Sequence, residues 1–336
     1  MPSNTQLPPD TPESFAPESL SASDNPPEQH RSISDTALTI AAENWKPAVD
    51  LCCPHPARIR DFLLGGENSY AIDRAWCAEQ LRIMPSLRRI YRDERGFLLR
   101  AIRAALQEHG IDRFLAIDTG LPSAGSLHKL VLPNDSGRVV YTDHDPVVIA
   151  HLSLLADQHP EHLACVPGAF TYPGTILSAD DTKLLLAPRS PVGLVLVGVL
   201  DRIEDTHELT NALQCYTERL PAGSLVIVTH ATVDGLDPAD PADRALTEQM
   251  HRVCRAYATR HMPSRYLRTA EEVRHILSGL HLVDPGITFT ANWHTTPAKG
   301  APRPVESLCL AAVAEVPSVR QPHGEAATSG RLSRCA

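Results

Sequence analysis

Five short, continuously apolar runs separated by helix-length segments constrain this chain more than any other feature. They are FLAI (114–117), RVVYT (138–142), HLACV (162–166), VGLVLVGV (192–199) and SLVIVT (224–229). A strand that is apolar on both faces must be covered on both faces, and in a parallel sheet the crossover helices do this. Stretches able to form helices follow the first four runs, notably DPVVIAHLSLLAD after the second and DTHELTNALQCYTERL after the fourth. The rhythm then breaks. After TAEEVRHILSGL come HLVDPGITFT and SLCLAAVAEV with no convincing helix between them, so these two should pair as an antiparallel hairpin. The pattern predicts an α/β fold: a Rossmann-like seven-stranded sheet, mostly parallel, ending in an antiparallel hairpin, with helices on both faces. A reversed final pair departs from a nicotinamide-binding domain and points towards methyl transfer.

Ahead of the sheet, PARIRDFLLGG and AIDRAWCAEQLRIM have helical spacing, and SLRRIYRDERGFLLRAIRAALQEHG reads as one long amphipathic helix stopped by Gly110. Residues 1–35 are rich in Pro, Ser, Glu, Asp and Gln, too polar to offset chain entropy by burial, and residues 317–336 read the same way. The expected organisation is a disordered tail (1–35), an N-terminal helical cover (36–110), a cofactor-binding Rossmann-like domain (111–316) and a second tail (317–336).

The net charge of −9, with Lys and Arg scattered along the chain, supplies no footprint for nucleic acid. No run approaches the roughly 20 apolar residues needed to span a bilayer, and the N-terminus lacks the basic start and apolar middle of a secretory signal. A cytoplasmic protein is therefore expected, with neither membrane nor nucleic acid as partner. The eight scattered cysteines suit reduced thiols better than a disulfide framework. Cys52, Cys53 and His55 in CCPHP match no common zinc spacing, and no metal site is expected.

In open parallel sheets ligands sit at the carboxyl ends of the strands, so the loop after the first strand carries the question of the cofactor. A dinucleotide fingerprint needs G-x-G-x-x-G, and here those positions read Asp118, Gly120 and Ser123. Two of three glycines are missing, which weakens a nicotinamide reading. S-adenosylmethionine has no pyrophosphate and asks for less: a close backbone approach at the turn, which Gly120 can supply, and an acid at the end of the second strand for the ribose hydroxyls. Asp143 ends RVVYTD 23 residues beyond Gly120, near the roughly 20-residue offset of ribose-binding carboxylates in nucleotide folds. In DHDP, Asp145 with Pro146 reads as a helix cap, which leaves Asp143 to face the cleft.

These residues resemble the S-adenosylmethionine-dependent methyltransferases common in actinomycetes, a family largely uncharacterised in substrate. The resemblance runs from about residue 54 to 314. Its most distinctive piece is PARIRDFLLGGENSYAIDR, which is similar to A-R-x-x-D-x-x-L-G-G-x-x-x-x-x-x-D-R and keeps Arg58, Asp61, Leu64, Gly65, Gly66, Asp73 and Arg74. FLAIDTGLPS, VVYTDHDPVVIAH, GSLVIVTHAT and RTAEEVRHILSGLHLVDPG follow in the family's order. The resemblance implies cofactor contacts from the loops after strands one to four: Asp118, Thr119 and Gly120, then Asp143 and His144, then Ala169 and Phe170, then Asp201. It also places Arg58, Gly65 and Gly66 in a cover over the cofactor; otherwise the glycines simply stop a helix and Arg58 forms a surface ion pair.

Several positions depart from the family pattern F-L-D-I-G-T-G-L-P. Its acid is Ala116 here and its first glycine is Asp118. Residues 116 and 118 of a strand point the same way, so the carboxylate could reach the same cleft about 6 to 7 Å further along. Ala169 stands where an acid would hold the adenine amino group, with Phe170 beside it as a stacking surface, and Asp201 replaces a histidine. Methyl transfer needs alignment more than acid–base chemistry. Where a base is needed, His230 in VTHAT is the candidate, the other reading being a hydrogen-bonded structural imidazole. The expected function is S-adenosylmethionine-dependent methyl transfer to an unidentified small-molecule acceptor. The alternative is a catalytically impaired protein of the same fold with a binding or regulatory role. Neither acceptor nor oligomeric state is written in the sequence.

Overall fold

The computed structural model describes residues 52–122, 126–259, 262–295 and 299–318. Residues 1–35, positions 36–51 of the expected cover, Ser123, Cys335 and the C-terminal segment from 319 lie outside the described residues.

All five apolar runs are strands: β1 (Arg113–Ile117), β2 (Arg138–Asp143), β3 (Leu163–Pro167), β4 (Gly193–Leu196) and β5 (Leu225–Ala231). With β6 (His281–Leu282), β7 (Thr288–Phe289) and β8 (Cys309–Glu315) they form one sheet in the order β3-β2-β1-β4-β5-β8-β6, β7 also pairing with β8. The first five are mutually parallel, whereas β8 is antiparallel to β5, β6 and β7. The expected final hairpin is present, with one difference: its first strand is in two pieces. Pro285 offers no N–H to a ladder, Gly286 takes φ +80°, and its N–H donates to Val283 O at 2.8 Å, so the chain turns between β6 and β7.

Alternate side chains of each strand enter different cores, which is why these strands read as unbroken apolar runs. On one face Leu115, Ile117, Val140, Leu194, Val226 and Val228 pack with α8 (Thr206–Arg219) and α10 (Ala270–Ile276). On the other, Phe114, Ala116, Val139, Val195 and Ile227 pack with α3 (Leu87–Gln107) and α5 (Pro146–Gln158). A third cluster joins α1 (Pro56–Leu63), α2 (Ala71–Ile83) and the start of α3 to α9 (Pro241–Ala258) through Ile59, Trp76, Tyr91, Val253 and Tyr257. The long helix α3 therefore serves two cores, its last turns lying on the sheet and its first turns holding the preceding helices. Shorter helices α4 (His128–Val131), α6 (Pro173–Ser178) and α7 (Asp180–Leu186) complete the crossovers after β1 and β3. Among the described residues no helix is long and apolar enough to cross a membrane. Cys77, Cys165, Cys254 and Cys309 are free thiols, and burial pushes the Cys254 thiol up to about 11.

Candidate cofactor cleft

The carboxyl ends of β1, β2 and β4 open into a cleft of about 420 Å³, roofed by the segment leading into α1. At its floor the backbone bends twice into the left-handed region, at Asp118 (φ +49°) and Gly120 (φ +70°). Glycine takes this conformation freely, and aspartate tolerates it better than most residues. A Cβ at Gly120 would meet Ala57 at an ordinary 3.8 Å, so it is the dihedral rather than space that selects glycine.

Asp143 locks this turn to the second strand. One carboxylate oxygen accepts the Gly120 N–H at 3.0 Å, and the other accepts the N–H groups of His144 and Asp145 at 2.9 and 3.0 Å. The side chain is turned inwards and buried. Burial first, and then the neighbouring Asp118 charge, raise its pKa above the ordinary carboxylate range. A carboxylate has about four acceptor sites. Three are occupied by the turn, which leaves about one for a ribose hydroxyl rather than a grip on both.

His144 donates from Nδ1 to Asp118 at 3.1 Å, and that hydrogen bond raises its pKa. Asp145 caps α5 by accepting from Val147 and Val148, both at 2.9 Å, and also pairs with His55 Nε2 at 2.9 Å. Burial alone would raise the Asp145 carboxyl, but the His55 hydrogen bond and the helix amides outweigh it and hold it at about 2. His55 is itself the cap of α1, its Nδ1 accepting from Ala57 N at 3.3 Å. The roof and the second-strand wall are thus fastened at one point on the rim.

Four arginines border the cleft, and three have buried carboxylate partners. Arg58 donates to Asp73 at 2.7 Å and lies over the Tyr70 ring, Arg60 donates to Glu94 at 2.5 Å, and Arg265 pairs with Asp201. The fourth, Arg202, donates to the main-chain oxygen of Asp118 at 3.3 Å. Sequence reasoning missed Arg60, Arg202, Arg265 and His55. Arg60 and Arg202 each lie within two residues of a position it did single out; Arg265 and His55 arrive through a loop and a cap whose placement is tertiary.

Of the residues expected at the cofactor, Arg58, Asp118, Thr119, Gly120, Asp143 and His144 come together around this cleft. The other five, and the candidate base His230, do not line it. Gly65 and Gly66 end α1: Gly65 takes φ +89°, and the two N–H groups return to Phe62 O and Asp61 O at 3.1 and 2.8 Å, a Schellman ending. A Cβ on Gly66 would sit 2.2 Å from the buried Asp61 carboxylate. Gly66→Ala is accordingly expected to lower stability by about 1–3 kcal/mol, the cost of overpacking, in a denaturant titration.

Phe170 is a core residue stacked on Tyr216 at 5.4 Å, so it is no platform for adenine; drawing it out would forfeit roughly 1.5–3 kcal/mol of burial. Ala169 precedes it outside the cleft. Asp201 is buried behind Arg265, its main-chain oxygen accepting from Tyr266 N at 2.7 Å, and acts on the cleft only through that arginine. His230 is 1% exposed; its Nδ1 donates to Ala231 O at 2.9 Å and its Nε2 accepts from Arg268 at 3.0 Å. Burial, the largest cause, lowers its pKa. Both ring nitrogens are engaged away from the cleft, which is the geometry of a structural imidazole. Arg268 in turn holds the carbonyls of Leu200, Ile203 and Glu204, so this pair fixes the loop after β4.

Asp118, Asp143 and His144 each bring one possible metal-ligand atom within 4.8 Å of the others. His144 Nδ1 is spent on Asp118, and three acceptor sites of Asp143 are spent on main-chain amides.

A sheet of this order with a glycine turn after β1 and an acid ending β2 defines a Rossmann-like methyltransferase domain. The chain belongs to the S-adenosyl methyltransferase family, whose family model matches residues 42–317, and S-adenosylmethionine is its cofactor. Among solved structures it is similar to a DUF574 family protein from Streptomyces avermitilis MA-4680, with 31% identity over 80% of this chain and all of that one, at a TM-score of 0.72. It is also similar to a protein from Thermobifida fusca YX provisionally assigned as a methyltransferase, with 27% identity, 82% and 100% coverage, and a TM-score of 0.71. No curated protein matches the chain.

Proposed function

We propose that this protein transfers the methyl group of S-adenosylmethionine to a small-molecule acceptor held in the same cleft. One observation carries the reading: the Gly120 turn, the inward Asp143 carboxylate and a partly roofed space of about 420 Å³ coincide at the ends of β1, β2 and β4. That volume lies in the usual range for small-ligand sites, roughly 300–1,000 Å³.

The residues present fit the cofactor. Asp143 would take a ribose hydroxyl at its remaining acceptor site, and the Asp118–Gly120 turn would underlie the methionyl arm. The sulfonium supplies the activated methyl group. The chain's own work is alignment: Gly120 permits close approach, the His55–Asp145 contact holds the roof, and Val197 and Met262 give the cleft apolar wall. Where the acceptor must lose a proton, the imidazoles of His55 and His144 border the cleft and His230 does not. His230→Gln is expected to lower the melting temperature and leave affinity for S-adenosylhomocysteine unchanged; a selective loss of methyl transfer would return it to the reaction.

Calorimetry with S-adenosylmethionine, S-adenosylhomocysteine and NAD tests the cofactor assignment, with heat expected from the first two alone. Methyl-labelled cofactor incubated with fractionated small metabolites then tests turnover, a labelled product being the expected result. The engagement of both His230 ring nitrogens away from the cleft favours a second reading, a binding or regulatory protein that holds the nucleotide without turnover. Tight binding with no labelled product in any fraction would select it.

A further inference from the structure

Among the described residues, the one arginine of the cleft without an acidic partner stands beside an aspartate in the left-handed region. Arg58, Arg60 and Arg265 each have a buried carboxylate; Arg202 has no ion-pair partner among the described residues. Its guanidinium is held at the cofactor turn by one bond, 3.3 Å to Asp118 O. The side chain of that same Asp118 carries a negative charge into the same space at a left-handed φ of +49°, where glycine would be easier. Strain of this kind persists where the surroundings enforce it and is a pointer to function. Oδ1 of Asp118 accepts from His144, which fixes the carboxylate, while Oδ2 takes no hydrogen bond among the described residues.

We infer that Arg202 and Asp118 form a two-charge seat for the zwitterionic amino-acid head of the cofactor, the guanidinium taking its α-carboxylate and the aspartate its α-ammonium. This rests on the cofactor assignment above. A fixed positive and a fixed negative group on either side of one turn match a ligand end bearing both charges, and a guanidinium suits a carboxylate because its N–H fork can meet both oxygens. The seat also accounts for an acid at position 118: the ammonium acquires an acceptor from the turn itself, although position 116 is alanine.

The test uses ligands that differ in this head alone. S-adenosylhomocysteine has both charges, 5′-(3-aminopropylthio)adenosine retains the ammonium, and 5′-methylthioadenosine has neither. Arg202→Gln is expected to weaken S-adenosylhomocysteine about tenfold or more and to leave the other two unchanged. Asp118→Asn should weaken the first two and leave 5′-methylthioadenosine unchanged, and Arg202→Lys should restore part of the loss. Equal weakening of all three ligands, or of none, overturns the inference. If the wild type binds the three alike, the seat fails while the nucleoside site stands; if it binds none, the cofactor assignment fails with it. Melting temperatures of each variant show whether a loss reflects folding.

Discussion

Asp143→Ala is expected to abolish calorimetrically measurable binding of S-adenosylhomocysteine and to lower the free energy of unfolding by roughly 3 kcal/mol or more. Both effects have one origin. The buried carboxylate accepts from the Gly120, His144 and Asp145 main-chain N–H groups at 2.9–3.0 Å. Each donor left without a partner costs about 1–3 kcal/mol. With the anchor gone, the Asp118–Gly120 turn is no longer tied to β2, and the backbone approach that the cofactor needs is lost along with the ribose acceptor. Asp143→Asn separates the contributions. Its amide keeps the volume but offers one acceptor oxygen and turns an N–H₂ towards a main-chain donor, so it should be intermediate in stability and still poor in binding. An Asp143→Ala protein that melts like the wild type and binds the nucleotide normally would show that the turn needs no carboxylate, and the cofactor reading would fall.

Asp201→Ala carries the second large effect, and it concerns a residue that never borders the cleft. Its carboxylate is 1% exposed and pairs with Arg265, whose guanidinium also donates to Tyr91 Oη at 3.2 Å and lies over the Tyr91 and Tyr257 rings. Removing one member of a buried pair leaves the other charge uncompensated, at a cost of about 3–5 kcal/mol. The expected results are a corresponding drop in unfolding free energy and a displaced Arg265 at the cleft wall. The pH dependence has a definite sign. Burial would raise the Asp201 carboxyl, but the Arg265 charge outweighs it and holds the pKa below the usual carboxylate value of 3.8. Its contribution to stability is therefore fully present above that value and is lost as pH falls through the lower folded-state pKa. The stability gap between wild type and Asp201→Asn should be flat near neutrality and should close in acid. A gap that widens on acidification would contradict the assignment.

The sheet was legible because burial on two faces leaves a local record: FLAI and the LVIV of SLVIVT are apolar at consecutive positions, wherever the strand lies in the sheet. Caps were legible for the same reason, since Asp145 and Pro146 act on N–H groups two and three residues away. The candidate site was half legible. Asp118, Gly120 and Asp143 sit at strand ends, and once the strands are known the position of the cleft follows from the order of the sheet. Their chemistry was less so: its position at the end of the second strand marks Asp143 as a ribose ligand, whereas its main partners are three amides.

Phe170, Asp201 and His230 stand at strand ends too, yet each faces a core or a buried polar partner. A strand-end position fixes how far along the sheet a residue lies, and the direction of its side chain depends on what packs against the following loop. Phe170 met Tyr216, 46 residues on, and His230 met Arg268, 38 residues on. Those partners share no periodicity with the strands. What the sequence determined by itself was the set of strands and helices, the reversed final pair and the turn at Gly120, because hydrophobic period, capping and glycine dihedrals are properties of neighbours in the chain. Only the tertiary structure decided which charges meet: three arginines matched to distant buried carboxylates, and Arg202 left facing the cleft. Pairing between charges depends on through-space distance and burial, and neither is encoded in the spacing of residues along the chain.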